Sequence, residues 1–393
     1  MFRGFTYRLA PTPEQERLFV QFAGGCRLVW NLALEQRTNH WRNYQARTGN
    51  NLNYVTQCRE LTLLRAAFDF IKAVPGVAQQ RVLKDLDCAF RRFFNGLARF
   101  PQPKKKGQHE AFSFHGRNVS VERLSARWGR VRLPKVGWVK FRMTRDPVGA
   151  FTDATVSLTP LGWHVSIGCK SDSEVAEVGG AVGIDRGVAV PLMLSDGTSY
   201  AIPEHLALIE RRARKAQRTA SRRKRGSKRH AKAQRRVAAL RAKAARVRKH
   251  WAHCATTDIC RRFGTVVIER LRTKDMAKSA SGTIENPGRN VAQKRGLNRA
   301  IMNVGWHQIE AMLFYKAHRL IKVDPRHTSQ TCSRCGNVDS RSRKSQAAFV
   351  CIACGFRDNA DRNAAVNILN RGNTPGVEAN RKVAGEARTN QVA

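Results

Sequence analysis

Acidic residues are scarce in this sequence of 393 residues. It contains 29 Asp and Glu against 72 Lys and Arg, which gives a formal net charge of +43 and a pI near 11.2. A chain with so much charge of one sign repels itself unless it binds a polyanion. Nucleic acid is the usual partner at this imbalance, ahead of a membrane surface or an acidic protein.

Long apolar runs and a disulfide pattern are also missing. No run approaches 18 apolar residues, so we expect no membrane-spanning helix, and residues 1–16 lack the apolar core of a signal peptide. Four of the ten cysteines form a motif described below, and the other six are scattered at Cys26, Cys58, Cys88, Cys169, Cys254 and Cys260. Scattered free cysteines usually pack as small apolar side chains, as in a reducing compartment. We therefore expect a cytoplasmic, nucleoid-associated protein.

The patterning divides the chain into segments of different character. Residues 2–9 alternate loosely as a strand, and Thr12, Pro13 and Gln15 then predict a capped helix start. The pattern stays helical to about residue 94. Residues 111–169 alternate polar and apolar positions between Gly and Pro turns, which predicts a small barrel that the first strand could complete. From residue 178 the pattern becomes α/β.

The most biased segment runs from residue 211 to residue 249. It contains 19 Lys and Arg and no Asp or Glu, interleaved with Ala, Leu and Val, and Gly226 and Ser227 divide it into two predicted helices. A solvated charged helix face normally alternates sign, so a run of like charge favours contact with phosphates. Four cations precede the break and are predicted to bind nucleic acid: Arg222, Arg223, Lys224 and Arg225.

Two cysteine pairs have the spacing of a zinc ribbon. Two residues lie between Cys332 and Cys335 and between Cys351 and Cys354, and fifteen residues lie between the two pairs. A glycine follows each pair and allows the tight turn that points two thiolates at one ion. Four thiolates leave no open coordination position, so we predict one structural zinc ion. The segment has few apolar residues, and the metal would supply most of its folding energy.

Three acidic residues lie where a charge is costly unless it has a function. Asp185 ends the apolar run AVGID, Glu269 ends VVIE, and Asp361 lies in the first turn of a helix with an apolar face. An acid that ends a strand is more often structural, so neither of the first two identifies a site alone. Asp361 is predicted to face inward, whereas Asp358 precedes the helix and is interpreted as a turn or cap residue.

Together these motifs resemble a known family. GIDRG at 183–187, VVIERL at 266–271 and DRNAAVNI at 361–368, with a zinc ribbon just before the last, resemble the RuvC-like nuclease of TnpB proteins. These are transposon-encoded, RNA-guided relatives of type V CRISPR effectors. YRLAPTPEQE, LPKVGWVKFR and KVDPRHTSQTCSRCG extend the resemblance from residue 2 to about residue 371.

The resemblance implies an α+β multidomain fold with an RNase H-like (RuvC) α/β core. A helical recognition lobe, a small β-barrel wedge domain and the zinc ribbon complete it. The implied domains are the first wedge strand at 1–11, the recognition lobe at 12–105, the wedge barrel at 106–177, the nuclease at 178–327 with a basic hairpin at 205–255 and a lid loop at 275–296, the ribbon at 328–358, the last nuclease helix at 359–371 and a disordered tail at 372–393.

The family's activity is cleavage of double-stranded DNA that matches a guide RNA next to a short adjacent motif. The resemblance places the catalytic carboxylates, holding two Mg²⁺, on Asp185, Glu269 and Asp361. The guide RNA would derive from the transposon end, and the protein would act as a monomeric ribonucleoprotein. Motif contacts are implied around Tyr54, Gln57, Gln79 and Gln80. Two positions depart from many relatives: Gly76, where a basic residue could grip DNA, and Arg186.

Three other interpretations remain open at this stage. The chain could be an RNA-guided repressor that no longer cleaves, although all three acids are present. It could be a transposase that joins DNA ends without guide RNA. A compact CRISPR effector would share the same chemistry, and only the genomic neighbourhood separates it from a transposon protein.

Overall fold

The structure is a computed structural model that describes residues 2–43, 49, 52–108, 110–170, 178–345, 347–373 and 379–380. Most of the predicted tail, residues 374–378 and 381–393, lies outside the described residues. The chain divides into two compact units, residues 1–174 and 175–393. No helix in the described part of the chain is long and apolar enough to cross a membrane.

The first unit combines one antiparallel sheet with a helical layer. Its seven strands are β1 (Phe2–Ala10), β2 (Ala111–His115), β3 (Ser120–Arg123), β4 (Trp128–Leu133), β5 (Gly137–Arg142), β6 (Ala150–Thr159) and β7 (Gly162–Lys170). The sheet order is β2-β6-β7-β1-β5-β4-β3, so the strand at the start of the chain lies between strands from after residue 110. Its helices are α1 (Pro13–Asn43), α2 (Tyr54–Ala67), α3 (Asp69–Lys72) and α4 (Gly76–Phe94).

The helices and the sheet of this unit share one apolar core. Phe19 and Phe22 of α1 are fully buried against Phe112 of β2, with ring centroids 5.7 Å apart in both pairs. The predicted start of α1 is confirmed, because Thr12 and Gln15 each accept a hydrogen bond from the other's backbone N–H. This reciprocal capping satisfies two N–H groups that a helix start leaves unpaired.

The second unit is built on a mixed sheet. In chain order its elements are β8 (Ala181–Asp185), β9 (Leu192–Leu194), β10 (Ser199–Tyr200), α5 (Glu204–Ser221), α6 (Lys228–Arg262), β11 (Thr265–Glu269), α7 (Thr273–Met276), α8 (Val291–Val304), α9 (Trp306–Lys316) and β12 (Arg319–Val323), followed by α10 (Ala360–Gly372) and the edge strand β13 (Ala379–Asn380). The order of the strands in the sheet is β10-β9-β8-β11-β12-β13. β8, β11 and β12 are parallel, and β9 is antiparallel to β8. The predicted RNase H-like α/β core is confirmed.

A small two-stranded sheet lies between β12 and α10. Its strands are β14 (Ala348–Val350) and β15 (Arg357–Asn359), which pair antiparallel beside the four cysteines. Phe349, Cys332, Cys351 and Ala360 form its small buried cluster. The predicted zinc-ribbon architecture is confirmed, and it ends where α10 begins.

Helix α10 lies unusually close to strand β8, and Gly183 permits this. A Cβ atom at residue 183 would lie 2.1 Å from the carbonyl oxygen of Ala365 and 2.7 Å from the backbone nitrogen of Leu369. At the other end of the helix, Gly372 is similarly close to Val267 of β11. Two glycines therefore set the distance between the sheet and the helix that carries Asp361.

We expect Gly183→Ala to displace α10 and reduce both stability and cleavage. The added methyl group would overlap backbone atoms, which cannot rotate away, so the free energy of unfolding should fall by about 1–3 kcal/mol. Urea unfolding of the full chain measures this change. Gly179→Ala is the matched control, because no atom lies within 4 Å of its added Cβ. Equal stability of the two variants would contradict the close packing.

Candidate active site and metal centre

Two parallel strands carry Asp185 and Glu269 to the same edge of the sheet. Ile184 of β8 is paired with Ile268 of β11, so the next residue of each strand ends its strand beside the other. Side chains alternate along a strand, so Asp185 lies on the same face as Gly183 and Glu269 on the same face as Val267. Gly183 and Val267 contact α10, and both carboxylates therefore lie on the helix side of the sheet.

The third acid comes from the first turn of α10. Asn359 caps this helix, because its side-chain oxygen accepts from the backbone N–H of Asp361 at 2.9 Å and of Arg362 at 3.1 Å. Asp361 is only 6% exposed and lies on the buried face. Asp358 instead pairs with Arg362 at 3.2 Å and accepts from the backbone N–H of Asn359. Asp361 faces inward as predicted, whereas Asp358 lies in the strand Arg357–Asn359 and is neither a turn residue nor the cap, which is Asn359.

The three carboxylates influence one another. Burial raises the pKa of Asp185 to about 7, and the negative charges of Glu269 and Asp361 add to this shift. Burial also raises the pKa of Glu269 and of Asp361. We call Asp185, Glu269 and Asp361 the carboxylate cluster. Because like charges gathered in a buried place are unfavourable, the cluster favours a cation, and binding one near neutral pH would release a proton.

Glu269 and Asp361 each accept a hydrogen bond from a fixed side-chain donor. The hydroxyl of Thr328, which is 3% exposed, donates to Glu269 Oε1 at 2.5 Å. Arg343 Nη2 donates to Asp361 Oδ1 at 3.1 Å, and the opposing charge limits the rise of the Asp361 pKa. Thr328 lies at the start of the predicted ribbon and Arg343 between its cysteine pairs, so the ribbon segment orients two of the three acids.

Arg186, the departure noted in the sequence, is buried behind the carboxylate cluster. Its Nη2 donates to the backbone carbonyl of Glu269, and its Nη1 pairs with Glu310 at 3.2 Å. Glu310 also accepts from Lys322 Nζ at 2.5 Å. Arg186 directly follows Asp185 at the end of β8, and its side chain binds the end of β11, so it holds the ends of the two strands together.

Oxygen donors from three elements suit hard divalent ions. The carboxylate oxygens do not form one tight cage: among the described residues, only the four cysteines form a group of three or more metal-ligating side chains whose atoms all lie within 4.8 Å. A wider carboxylate spacing fits ions that share ligands and keep bound waters.

The four thiols are spaced for a tetrahedral metal ion. Cys332 Sγ and Cys354 Sγ are 3.8 Å apart, and Cys335 Sγ and Cys351 Sγ are 3.6 Å apart. Zn–S bonds of about 2.3 Å give a tetrahedron with edges of about 3.8 Å, whereas a disulfide would need about 2 Å. The backbone N–H of Cys354 is the main cause that lowers the pKa of Cys351 to about 6, which favours the thiolate. The predicted grouping of the four cysteines is confirmed, and its geometry could hold one metal ion.

The ribbon segment is fixed to α10 by two buried amides. Asn363 accepts from the backbone N–H of Ser333 at 2.9 Å and donates to the carbonyl of Thr331 at 2.8 Å. Asn367 donates to the carbonyls of Thr328 at 2.9 Å and Thr331 at 2.6 Å. Since α10 carries Asp361 and Thr328 contacts Glu269, the fold of the ribbon segment and the position of two acids are linked.

The predicted motif-reading residues fall into two groups. Gln57 is buried and bonds to Arg37, Gln36 and the carbonyl of Ala33. Gln79 is also buried and bonds to Arg65 and to the carbonyl of Ile71. Both amides hold the helices of this unit together in the structure, and a base contact by either stays a prediction. Tyr54 is half-buried and Gln80 is exposed.

Arg65 occupies the space beside Gly76. Its guanidinium carbon would lie 3.5 Å from a Cβ atom at residue 76, and it donates to the carbonyls of Val74 and Ile71. A cation from α2 is therefore present where the sequence suggested that one is missing.

The basic hairpin consists of α5 and α6, which pack antiparallel through Leu206, Ile209 and Ala244. Arg222, Arg223, Lys224 and Arg225 form the connection and are exposed. None of these four takes part in an ion pair among the described residues. The predicted lid, residues 275–296, spans the end of α7, a β-bridge between Gly282 and Pro287 and the start of α8.

Sequence reasoning did not identify Thr328, Arg343 or the role of Arg186. Thr328 lies within KVDPRHTSQTCSRCG, the motif quoted for the resemblance, and that placement was the available signal. No signal marks Arg343, because one arginine among 72 basic residues is unremarkable in sequence.

Three family models match the chain. One described as a probable transposase matches residues 164–280, one described as a Cas12f1-like TNB domain matches residues 306–368, and one described as a helix-turn-helix domain matches residues 1–46. In the last range, the described residues form one strand and one long helix instead of two helices joined by a turn.

Two curated proteins resemble the chain over most of its length. "Putative RNA-guided DNA endonuclease InsQ" of Escherichia coli strain K12 is 35% identical, covering 94% of this chain and 92% of that protein. "Putative RNA-guided DNA endonuclease" of Streptomyces pristinaespiralis is 32% identical, covering 94% and 89%. The cryo-EM structure of a Cas12f1–sgRNA–target DNA complex shares the fold at a TM-score of 0.54 and 13% identity, covering 96% of this chain and 99% of that one.

Proposed function

We propose that this chain, which belongs to the TnpB family of transposon-encoded RNA-guided DNA endonucleases, cuts DNA at the carboxylate cluster. The observation that carries the assignment is the convergence of three acids from β8, β11 and α10, with the pKa of Asp185 raised by desolvation and by the charges of the other two. The chain has few acids, and a group of three is costly without a cation.

Asp185, Glu269 and Asp361 would hold two Mg²⁺ ions. When bound, these ions supply an activated water and stabilise the leaving oxygen of the phosphodiester. Thr328 fixes the orientation of Glu269, and Arg343 fixes that of Asp361. Arg186 holds the end of β11 in place from behind. One such site would cut the two DNA strands in turn, and residues 275–296 would control access to it.

The four thiolates would bind one structural zinc ion, which keeps the ribbon folded. The guide RNA would come from the transposon end and form a monomeric ribonucleoprotein with this chain. Arg222, Arg223, Lys224 and Arg225 would contact RNA or heteroduplex phosphates, since they are exposed cations without partner acids among the described residues. Such a particle would work at the nucleoid, where its DNA lies.

Reading of the adjacent motif would involve the surface of α2 and α4. Gln80 and the half-buried Tyr54 are accessible to a duplex, and Gln57 and Gln79 fix the neighbouring helices. Arg65 would supply positive charge beside Gly76.

Removal of RNA tests the function. We expect the protein purified with its own RNA to cut a matched duplex in Mg²⁺, and complete RNase treatment to abolish cutting, because pairing with the guide selects the target. Adding the transcribed RNA back should restore it. Cleavage that survives complete RNA removal would favour a transposase acting without RNA, and guided binding without any cleavage would favour a repressor.

A further inference from the structure

The outer face of the β4–β5 hairpin carries an unusual set of side chains. Directly opposed residues in an antiparallel pair lie on the same face, and here the opposed pairs on the outer face join Trp128 with Arg142, Arg130 with Lys140 and Arg132 with Trp138. We call these six residues the tryptophan–arginine face. The alternate positions, among them Val131, Val139 and Phe141, are fully buried in the core.

The face is already organised in the free protein. Arg130 lies over the ring of Trp138 at 4.4 Å and is held by Glu122 of β3 at 2.6 Å. Arg142 lies over the ring of Trp128 at 5.7 Å, and Trp128 is 38% exposed. Flat guanidinium and indole groups are thus presented side by side on a rigid sheet, which lowers the entropy cost of binding a flat partner.

Most of the positive charge on the tryptophan–arginine face is not neutralised by acidic side chains among the described residues. In the part of the chain that the structure describes, Arg132, Lys140 and Arg142 form no ion pair, and Glu122 is the acid that contacts the face, through Arg130. Cross-strand stacking explains the pairs Arg130–Trp138 and Arg142–Trp128, but it does not explain the further exposed cations Arg132 and Lys140. A surface of this kind suits unpaired nucleotides, because its cations can contact the phosphates and its aromatic rings can stack on the bases.

We propose that the tryptophan–arginine face binds an unpaired segment of the guide RNA. The guide RNA has unpaired bases in its loops and at its ends before any DNA is bound, whereas the target DNA becomes unpaired only after the guide has opened the duplex. The six residues of β4 span roughly 20 Å, which is room for a few nucleotides. This inference rests on the proposed function, because it requires that the chain carries RNA. It assigns a role to LPKVGWVKFR, which the nuclease chemistry leaves unexplained.

The test uses the full chain and the RNA that copurifies with it, sequenced and transcribed as the probe. Trp128→Ala should weaken RNA binding about tenfold through loss of base stacking, and Trp128→Phe should retain most of the affinity. The double variant Arg132→Gln/Lys140→Gln should flatten the plot of log K against log salt by about 1.4, since two phosphate contacts are lost. Trp128→Ala should leave that slope unchanged.

Two controls separate the outcomes. Trp41→Ala removes a tryptophan that is 52% exposed on α1 and should leave RNA affinity unchanged. Thermal unfolding of each variant without RNA detects a merely structural role, which would lower stability without changing the salt slope. Wild-type affinity and slope in both test variants would overturn the inference. So would unchanged RNA affinity with weaker recruitment of the matched DNA duplex, which would assign the face to DNA. A wild-type chain that carries no RNA would instead overturn the proposed function.

Discussion

We expect Asp185→Ala to abolish cleavage of a matched duplex while the RNA-loaded protein still binds that duplex. Burial and the charges of both other acids raise the pKa of Asp185, and its removal takes away one of the three acidic ligands of the site. We expect the cleavage rate to fall by more than the roughly 10–100-fold that loss of an outer hydrogen-bond partner costs. Single-turnover cleavage and gel-shift binding, measured on the same preparation, separate the two effects.

The neighbouring aspartates of α10 provide a matched control. Asp361→Asn should reduce cleavage as strongly as Asp185→Ala, because Asp361 is buried and faces the sheet. Asp358→Asn changes the same chemical group three residues earlier, but Asp358 pairs with Arg362 and is not part of the carboxylate cluster, so cleavage should stay near the wild-type rate. If Asp185→Ala or Asp361→Asn cuts normally, the carboxylate cluster is not the active site.

Cys332→Ser is expected to remove the ribbon's metal and the cleavage activity together. One thiolate fewer leaves three ligands for an ion whose binding free energy folds the ribbon. The buried amides of Asn363 and Asn367 then lose the backbone groups of residues 328–333 that they hold, and the orientation of Asp361 and Glu269 is lost with them. Metal analysis should find about one zinc ion per wild-type chain and little in the variant.

Cys254→Ser is the control for this experiment. Cys254 is exposed on α6, away from the four-thiol group, and its replacement should change neither metal content nor cleavage. Wild-type protein without zinc would refute the metal assignment. A Cys332→Ser variant that loses zinc but cuts at the normal rate would show that the ribbon does not support the acids.

Local signals in the sequence predicted local features well. The reciprocal cap of Thr12 and Gln15 and the four-cysteine group each depend on residues with a fixed spacing, and the structure confirms both. The acids could be suspected because charge within an apolar run is costly. Their convergence could not be derived from spacing, since it depends on strand register and on a helix 92 residues beyond Glu269 in the chain.

The rest of the site depends on packing between distant segments. Thr328 meets Glu269 across 59 residues, and Arg186 meets the Glu269 carbonyl across 83 residues. No periodic pattern in the sequence predicts either of these contacts. The burial of Gln57 and Gln79 is a similar case, because an amide can lie inside a helical layer only when carbonyls and guanidinium groups satisfy it there. Those partners are visible only in the folded unit.

The order of elements along the chain gives the ribbon one more consequence. The ribosome makes Asp185 and Glu269 before the ribbon and Asp361 after it. A nascent chain can therefore fold its N-terminal unit and part of the second sheet before the third acid of the carboxylate cluster, Asp361, has been synthesised. If the ribbon folds only with its proposed zinc, Asp361 reaches its place only after the metal has bound. Chains that are incomplete or that lack zinc should thus be unable to cleave chromosomal DNA.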